Sequence, residues 1–255
     1  MIPYIAAPVW HFGPLTVTAF SVLAAIAILW ARRSILRRAV RMGIYREEMD
    51  ALCGVMLVSG FAGAYVAKAA LSDVAAFLAD PTLALRTSGG IRSLGGLAGG
   101  FLGRIVSLCV RGRSPFEMLR RLDVIAYSLP FAWMLGRLGC ALAHDHRGLW
   151  SNSWIAVRFP EGARYDLGLV EFLFLIGLAA LFRWLDRSGR PAGFFFGLYG
   201  VTYGLLRVWL DTLHIQPFRF FGGATAVLIG LAGWAAMAWF ARVPASVVAE
   251  TPAQG

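Results

Sequence analysis

Two arginines, Arg137 and Arg207, lie inside strongly apolar stretches of this chain. A charged side chain in hydrocarbon costs about 2.5–3.5 kcal/mol even on the more lenient insertion scale, so such a residue usually faces a protein interior and marks a site. The planar forks of two guanidinium groups are well suited to hold one phosphate between them. Asp211 follows Arg207 by four residues, and a helical ion pair between these two side chains explains Arg207 equally well.

The apolar stretch that contains the first of these arginines is followed by a polar cluster, His144, Asp145 and His146. A neutral histidine at a membrane interface is able to accept a proton near neutral pH. Asp166 and Glu171, near the start of the next apolar stretch, are candidates to orient it. Loosely spaced histidines and carboxylates are a weak metal pattern, so we expect no metal and no other cofactor. Loop residues in bulk solvent are the simpler alternative.

The segments that must position these residues are apolar and long. The chain is 58% hydrophobic and 15% charged, and its charges cluster between apolar segments, which is the pattern that a bilayer imposes. The sequence therefore predicts an all-α, polytopic integral membrane protein with about seven transmembrane helices. The predicted spans are Phe12–Trp30, Met49–Leu71, Ile91–Val110, Val124–Leu142, Leu167–Phe182, Gly193–Leu210 and Gly222–Ala241.

Arginines are distributed unevenly between the predicted loops. They are concentrated in residues 31–48, 111–122 and 183–190, and basic loops face the cytoplasm. The N-terminus is then outside and the C-terminus cytoplasmic. We expect a single transmembrane domain over residues 1–244 and a disordered cytoplasmic tail over residues 245–255. The net charge of +10 is explained by this topology, so nucleic acid is not an expected partner.

Glycine recurs every four residues in the third predicted span, at Gly95, Gly99 and Gly103, and again at Gly96 and Gly100. Small residues at this spacing let two helix backbones approach closely in lipid. The density of glycine over residues 89–100 also suits a broken helix or a lipid headgroup that lies against the backbone.

Three segments resemble the prolipoprotein diacylglyceryl transferases of bacterial inner membranes. The resemblance runs from Gly13-Pro14 to about Asp211. Its segments are Gly89-Gly90-Ile91-Arg92-Ser93-Leu94-Gly95-Gly96-Leu97, then Gly136-Arg137-Leu138-Gly139-Cys140 running on to Gly148, and Tyr203-Gly204-Leu205-Leu206-Arg207. They are similar to the family's glycine-rich segment, its signature, and the segment that carries another essential arginine.

The resemblance implies a reaction at the outer face of the bacterial inner membrane. The family moves a diacylglyceryl group from phosphatidylglycerol to the lipobox cysteine thiol of a prolipoprotein, and glycerol-1-phosphate leaves. Phosphatidylglycerol and prolipoprotein signal peptides would then be the partners. By this resemblance the residues that bind the lipid phosphate are Arg137, Arg207, Gly95, Gly96 and Gly148.

The chain departs from the family pattern where protons are handled. Leu94 stands where the family has a histidine, Cys140 replaces an asparagine, and Phe20 replaces a tyrosine early in the first span. We expect the lost base to be replaced from another element. The catalytic group that we predict is His144, Asp145, His146 and Glu171.

A non-enzymatic phospholipid-binding or lipid-transporting relative that keeps the phosphate site is the alternative. The histidine cluster separates the two functions. A cluster that faces the same cavity as the two arginines favours catalysis, whereas a cluster that points into bulk water favours binding alone.

Overall fold

The computed structural model describes residues 1–13, 15–72, 93–112, 114–215 and 221–240, and these are mostly helical. Each predicted apolar segment overlaps one helix of the described residues. Those helices are α1 (Ala19–Arg41), α2 (Arg46–Ser72), α3 (Ser93–Val110), α4 (Pro115–Ala143), α5 (Leu167–Leu185), α6 (Phe194–Thr212) and α7 (Phe221–Phe240).

Four helices among the described residues are long and apolar enough to cross a membrane. They are α1, α2 over Arg46–Ala67, α4, and α5 extended to Ser188. This is the composition of a membrane protein. The number of seven spans and the sides of the two termini stay predictions, and the expected tail over residues 245–255 lies outside the described residues.

Two helices differ in their bounds from the apolar segments. Helix α1 begins at Ala19 rather than Phe12 and continues to Arg41, and α4 begins at Pro115 rather than Val124. Arginine is a good helix former, so both helices run on through arginine-rich sequence that we had assigned to loops. Hydropathy marks the part of a helix that suits lipid, and not where its hydrogen bonding ends.

The fold contains strands that an all-α protein would lack. A four-stranded sheet has the order β1 (Ile2–Pro3), β5 (Val157–Phe159), β6 (Gly162–Asp166) and β4 (Arg147–Trp150). Strand β1 runs parallel to β5, and the other neighbours are antiparallel. A separate hairpin pairs β2 (Val9–Phe12) with β3 (Leu15–Thr18). The protein is mostly helical, as the sequence predicted, and short strands lie between some of its helices.

The chain packs as two compact units, one formed by Met1–Arg37 with Leu119–Gly255 and the other by Arg38–Met118. In the second unit, α2 and α3 touch through glycine. A Cβ atom added at Gly95 would lie 2.2 Å from the Cβ of Ala67 and 2.5 Å from the carbonyl oxygen of Gly63. Only a glycine fits where two backbones come this close.

In the first unit, α6 is fixed at its start by a residue of α4. The Asp123 carboxylate, 1% exposed, accepts hydrogen bonds from the backbone N–H groups of Phe195 (2.7 Å) and Phe196 (3.0 Å). These amides belong to the first turn of α6, where N–H groups have no helical partner. Tyr127, Phe182 and Phe195 pack beside this contact in the apolar core of α4, α5 and α6. The three helices are thereby held in a defined arrangement.

Candidate active site

Glu171 lies at the centre of a buried ionic cluster, with 1% of its side chain exposed. Its Oε1 atom is 2.8 Å from Nε of Arg137 and accepts hydrogen bonds from Tyr203 Oη (2.5 Å) and Trp133 Nε1 (3.0 Å). Its Oε2 atom is 3.5 Å from Nη1 of Arg207. The cluster thus joins α4, α5 and α6 through one carboxylate.

The two arginines that sequence analysis singled out converge, and they do so on this carboxylate. Arg137 comes from α4 and Arg207 from α6, while Glu171 lies one turn inside α5. Arg207 also forms the expected helical ion pair, with Nη2 3.2 Å from Oδ1 of Asp211. A guanidinium has five N–H donors, so these contacts leave donors on both arginines for an anionic ligand. Arg207 is 30% exposed and Arg137 is 9% exposed.

The contacts of Tyr203 and Trp133 with Glu171 were not predicted. Trp133 Nε1 is also 2.9 Å from Tyr203 Oη, and Arg137 lies over the Trp133 ring at 5.5 Å. In an apolar segment, tyrosine and tryptophan look like packing residues, although each needs a polar partner when it is buried. Their spacing from the arginines, one turn from each, was the available signal.

The His144 side chain makes contacts through both ring nitrogens and through the face of its ring. Its Nδ1 is 2.6 Å from Oδ2 of Asp166, its Nε2 is 3.1 Å from the carbonyl oxygen of Ile5, and its ring stacks on Tyr4 at 4.6 Å. It also has a φ of 52°, a left-handed conformation that costs a non-glycine residue about 1–3 kcal/mol and is kept only where surrounding contacts fix it. Both ring nitrogens of His144 are therefore in contact with protein atoms.

Asp166 connects this histidine to α5. Its Oδ1 atom accepts a hydrogen bond from the N–H of Leu169 at 3.2 Å and caps the helix. Burial raises the pKa of Asp166, and the hydrogen bond from His144 opposes that shift. The carboxylate that orients His144 is therefore also the one that starts the helix carrying Glu171.

His146 has a different environment. Burial lowers the pKa of its ring, and the charges of Arg137 and Arg207 act in the same direction, while those of Asp145 and Glu171 oppose them. Its Nε2 is 3.6 Å from Oδ1 of Asp145, and the two side chains are 36% and 49% exposed. His146 is therefore within electrostatic range of the two arginines and is partly open to solvent.

Cys140 completes a close group with these two residues. One donor atom each from Cys140, Asp145 and His146 lies within 4.8 Å of the others. Nη1 of Arg137 is 3.9 Å from the Cys140 sulfur. The structure thus places the buried Cys140 thiol beside two ionisable groups.

A fourth histidine, His214, also belongs near this site. Its backbone bridges to Gly148. Burial lowers the pKa of His214, and Arg207, His146 and Arg137 lower it further. Sequence analysis passed over His214 because it lies in a loop after α6, although it comes only three residues after Asp211.

The three glycines expected to approach the lipid phosphate have packing roles in the structure. A Cβ at Gly148 would lie 2.8 Å from the carbonyl oxygen of Leu213, which holds the N–H of Leu149 at 2.9 Å. Gly95 and Gly96 belong to the α2–α3 contact. Their contact with a headgroup stays a prediction. The side chain of Leu94 lies outside the described part of the chain.

The sequence matches the prolipoprotein diacylglyceryl transferase family over residues 8–243. It is 28% identical over 210 residues to the phosphatidylglycerol–prolipoprotein diacylglyceryl transferase of Mannheimia succiniciproducens, covering 78% of this chain and 76% of that protein. The enzyme of the same name from Actinobacillus pleuropneumoniae is 28% identical over 224 residues, with 84% and 83% covered. Transferase 2 of Clostridium perfringens is 23% identical over 214 residues, with 81% and 82% covered. The chain belongs to the prolipoprotein diacylglyceryl transferase family.

Proposed function

We propose that this protein transfers the diacylglyceryl group of phosphatidylglycerol to the lipobox cysteine thiol of a prolipoprotein. Its relatives are named phosphatidylglycerol–prolipoprotein diacylglyceryl transferases. The observation that carries the proposal is the convergence of Arg137 and Arg207, from two different helices, on Glu171. Two guanidiniums that reach one carboxylate are also spaced to hold one phosphate. Glu171 holds both forks in place before the lipid arrives.

The position of the leaving group follows from this arrangement. When the carbon–oxygen bond of the donor breaks, negative charge develops on the phosphate that departs. Preorganised donors aimed at developing charge lower the barrier more than they lower the energy of the bound substrate. The remaining N–H groups of Arg137 and Arg207 supply such donors, and Arg137 is held in a buried position with 9% of its side chain exposed.

We predicted two histidines as candidates for the group that acts on the acceptor cysteine thiol. Of these two, we assign this role to His146. It lies in the field of the two arginines and is 36% exposed, whereas His144 has both ring nitrogens engaged. A histidine within electrostatic range of the arginines favours transfer over lipid binding alone. His144, with Asp166, is a positioning residue.

The experiment is rescue of a bacterium depleted of its own diacylglyceryl transferase, together with transfer of a labelled donor lipid to a lipobox peptide by the purified protein. We expect Arg137→Lys and Arg207→Lys to lose most of the transfer while they still insert, because lysine keeps the charge and loses the fork. Arg158→Lys is the matched control, since Arg158 is exposed on β5. Parental transfer by both site variants would make these arginines structural. Donor binding without transfer by the parent would favour the lipid-binding alternative.

We further propose that the site lies at the outer face of the bacterial inner membrane, with the N-terminus outside and the C-terminus cytoplasmic. The arginine-rich loops support this orientation. An impermeant thiol reagent added to intact cells should label Ser151→Cys and spare Ser188→Cys. The reverse pattern would invert the topology and place the histidine cluster inside.

A further inference from the structure

The group Cys140, Asp145 and His146 has the composition and the spacing of a metal site. One thiol, one carboxylate and one imidazole each present a donor atom within 4.8 Å of the other two. Sulfur, oxygen and nitrogen ligands of these kinds bind zinc at about 2.0–2.3 Å in tetrahedral geometry. Small side-chain rotations of the two more exposed ligands would bring all three atoms onto one ion.

The three side chains come together because the chain reverses its direction between Cys140 and His146. Cys140 lies in the last turn of α4, and the left-handed backbone of His144 turns the following residues back toward it. The ring of His144 is fixed by Asp166 and by the Ile5 carbonyl. The position of Asp145 and His146 relative to Cys140 is thus set by a turn held from three elements, which is the support that a metal site requires.

The charges around the group favour a divalent cation. The two guanidiniums of Arg137 and Arg207 are opposed by the carboxylates of Glu171, Asp211 and Asp145, so the cluster carries about one net negative charge. A Cys140 thiolate adds a second. A divalent ion would neutralise both negative charges. The phosphate of an anionic lipid would then meet less electrostatic repulsion when it approaches the arginines, which are already paired with carboxylates.

We propose that Cys140, Asp145 and His146 bind one divalent transition-metal ion of the zinc class, and that its fourth position takes the thiolate of the acceptor cysteine. Three protein ligands with one open position are the arrangement of catalytic zinc sites. This proposal rests on the transferase function, and in it His146 acts on the acceptor as a metal ligand and not as the base that takes the thiol proton. It replaces our expectation, from sequence, that the chain holds no metal.

The step balances without a further reactant. The acceptor thiol gives its proton to water on binding the metal, since a coordinated thiol is deprotonated, and thiolate is the nucleophilic form. A sulfur electron pair then forms the carbon–sulfur bond to the diacylglyceryl carbon. The carbon–oxygen bond to phosphate breaks, and its electron pair leaves with glycerol phosphate, which Arg137 and Arg207 hold. The metal keeps its oxidation state.

The first test is metal binding, measured apart from activity. Purified full-length protein is stripped with a chelator, dialysed and titrated with Co²⁺, whose thiolate complexes absorb in the near ultraviolet. We expect about one Co²⁺ per chain with a thiolate band. Cys140→Ser should abolish the band, whereas Cys109→Ser, at an exposed cysteine, should keep it. Asp145→Asn, at a side chain that is 49% exposed, should weaken binding about tenfold or more without affecting the fold.

The second test separates the metal from the transferase function. Stripped protein should bind phosphatidylglycerol vesicles but not transfer, and Zn²⁺ should restore transfer. No stoichiometric Co²⁺ binding by the parent, or a thiolate band that survives in Cys140→Ser, overturns the site. Transfer at the parental rate by stripped protein overturns the metal's role and leaves the transferase function standing. A metal-loaded parent that binds lipid but never transfers overturns the transferase function and, with it, thiol activation, although the ion site remains.

Discussion

Helices α2 and α3 meet through backbone atoms, whereas α4, α5 and α6 are joined by buried charges. At Gly95, an added Cβ would lie 2.5 Å from the Gly63 carbonyl oxygen, so the contact depends on the absence of side chains. At Glu171, four side chains from two helices, α4 and α6, meet one carboxylate of α5. The first contact is stabilised by dispersion forces. The second is stabilised by ion pairs and hydrogen bonds, which are strong only when every buried charge keeps its partners.

This difference indicates which of the two regions is suited to catalysis. Close packing of small residues is sufficient to hold helices in lipid, and the glycine contact between α2 and α3 is of this kind. Burying two guanidiniums costs more than such packing and is retained where the charges are used. Changes at these two contacts should therefore have different consequences for stability and for transfer.

The largest effect is expected for Glu171→Gln, which keeps the shape of the side chain and removes its charge. Arg137 would be left buried without its closest counter-charge, a change that costs about 3–5 kcal/mol in buried pairs. Unfolding in mixed detergent micelles measures it, with transfer assayed in parallel. Glu161→Gln is the matched control, because Glu161 and Arg147 are 38% and 46% exposed, and such pairs contribute about 0–1 kcal/mol. Equal stability of the two variants would mean that the cluster does not hold the helices.

A smaller loss of stability is expected for Gly95→Ala. The added methyl would sit 2.2 Å from the Cβ of Ala67, and overpacking of this kind costs about 1–3 kcal/mol. Gly96→Ala is the matched control one residue further, because its Cβ would meet the Gly60 oxygen at 3.4 Å and the Ala64 Cβ at 3.5 Å. The same unfolding assay should separate the two alanines. If they behave alike, the α2–α3 contact is looser than the structure shows.

The smallest effect on stability is expected for Tyr203→Phe, about 1 kcal/mol for one hydrogen bond. Trp133 and Arg137 remain on Glu171 Oε1, so the carboxylate stays held. The matched control is Tyr199→Phe, whose ring stacks on Tyr203 at 5.2 Å. We expect the KM for donor lipid to rise in Tyr203→Phe and to stay unchanged in Tyr199→Phe. Unaltered kinetics in both would remove Tyr203 from the positioning of the arginines.

Sequence analysis found the helices and the two arginines for the same reason. Long apolar segments have few structures open to them, and a charge within one is conspicuous because hydrocarbon penalises it. Glu171 was found in the same way. Tyr203 and Trp133 were missed because their apolar rings conceal the polar atom that contacts Glu171.

Neither the strands nor the division of roles between the histidines could be predicted from the sequence. Strands β5 and β6 are three and five residues long and include Arg158 and Arg164, so they have no apolar run to mark them. His144 and His146 are two residues apart and chemically identical. What distinguishes them is the φ of 52° at His144 and a carbonyl from Ile5, and neither follows from local sequence.

Strand β1 is paired with a strand that the ribosome makes much later, and this sets an order of assembly. The Ile5 carbonyl contacts a ring 139 positions further along the chain, and Ile2 pairs with Val157. Contacts of this sequence separation form late, since the intervening chain must be ordered first. A nascent chain that has inserted α1 and α4 therefore already carries Arg137 and the Ile5 carbonyl but lacks Asp166, the second anchor of His144. The histidine turn is completed only after translation passes Asp166, so a truncated or stalled product would carry the proposed phosphate ligand Arg137 without a fixed histidine turn.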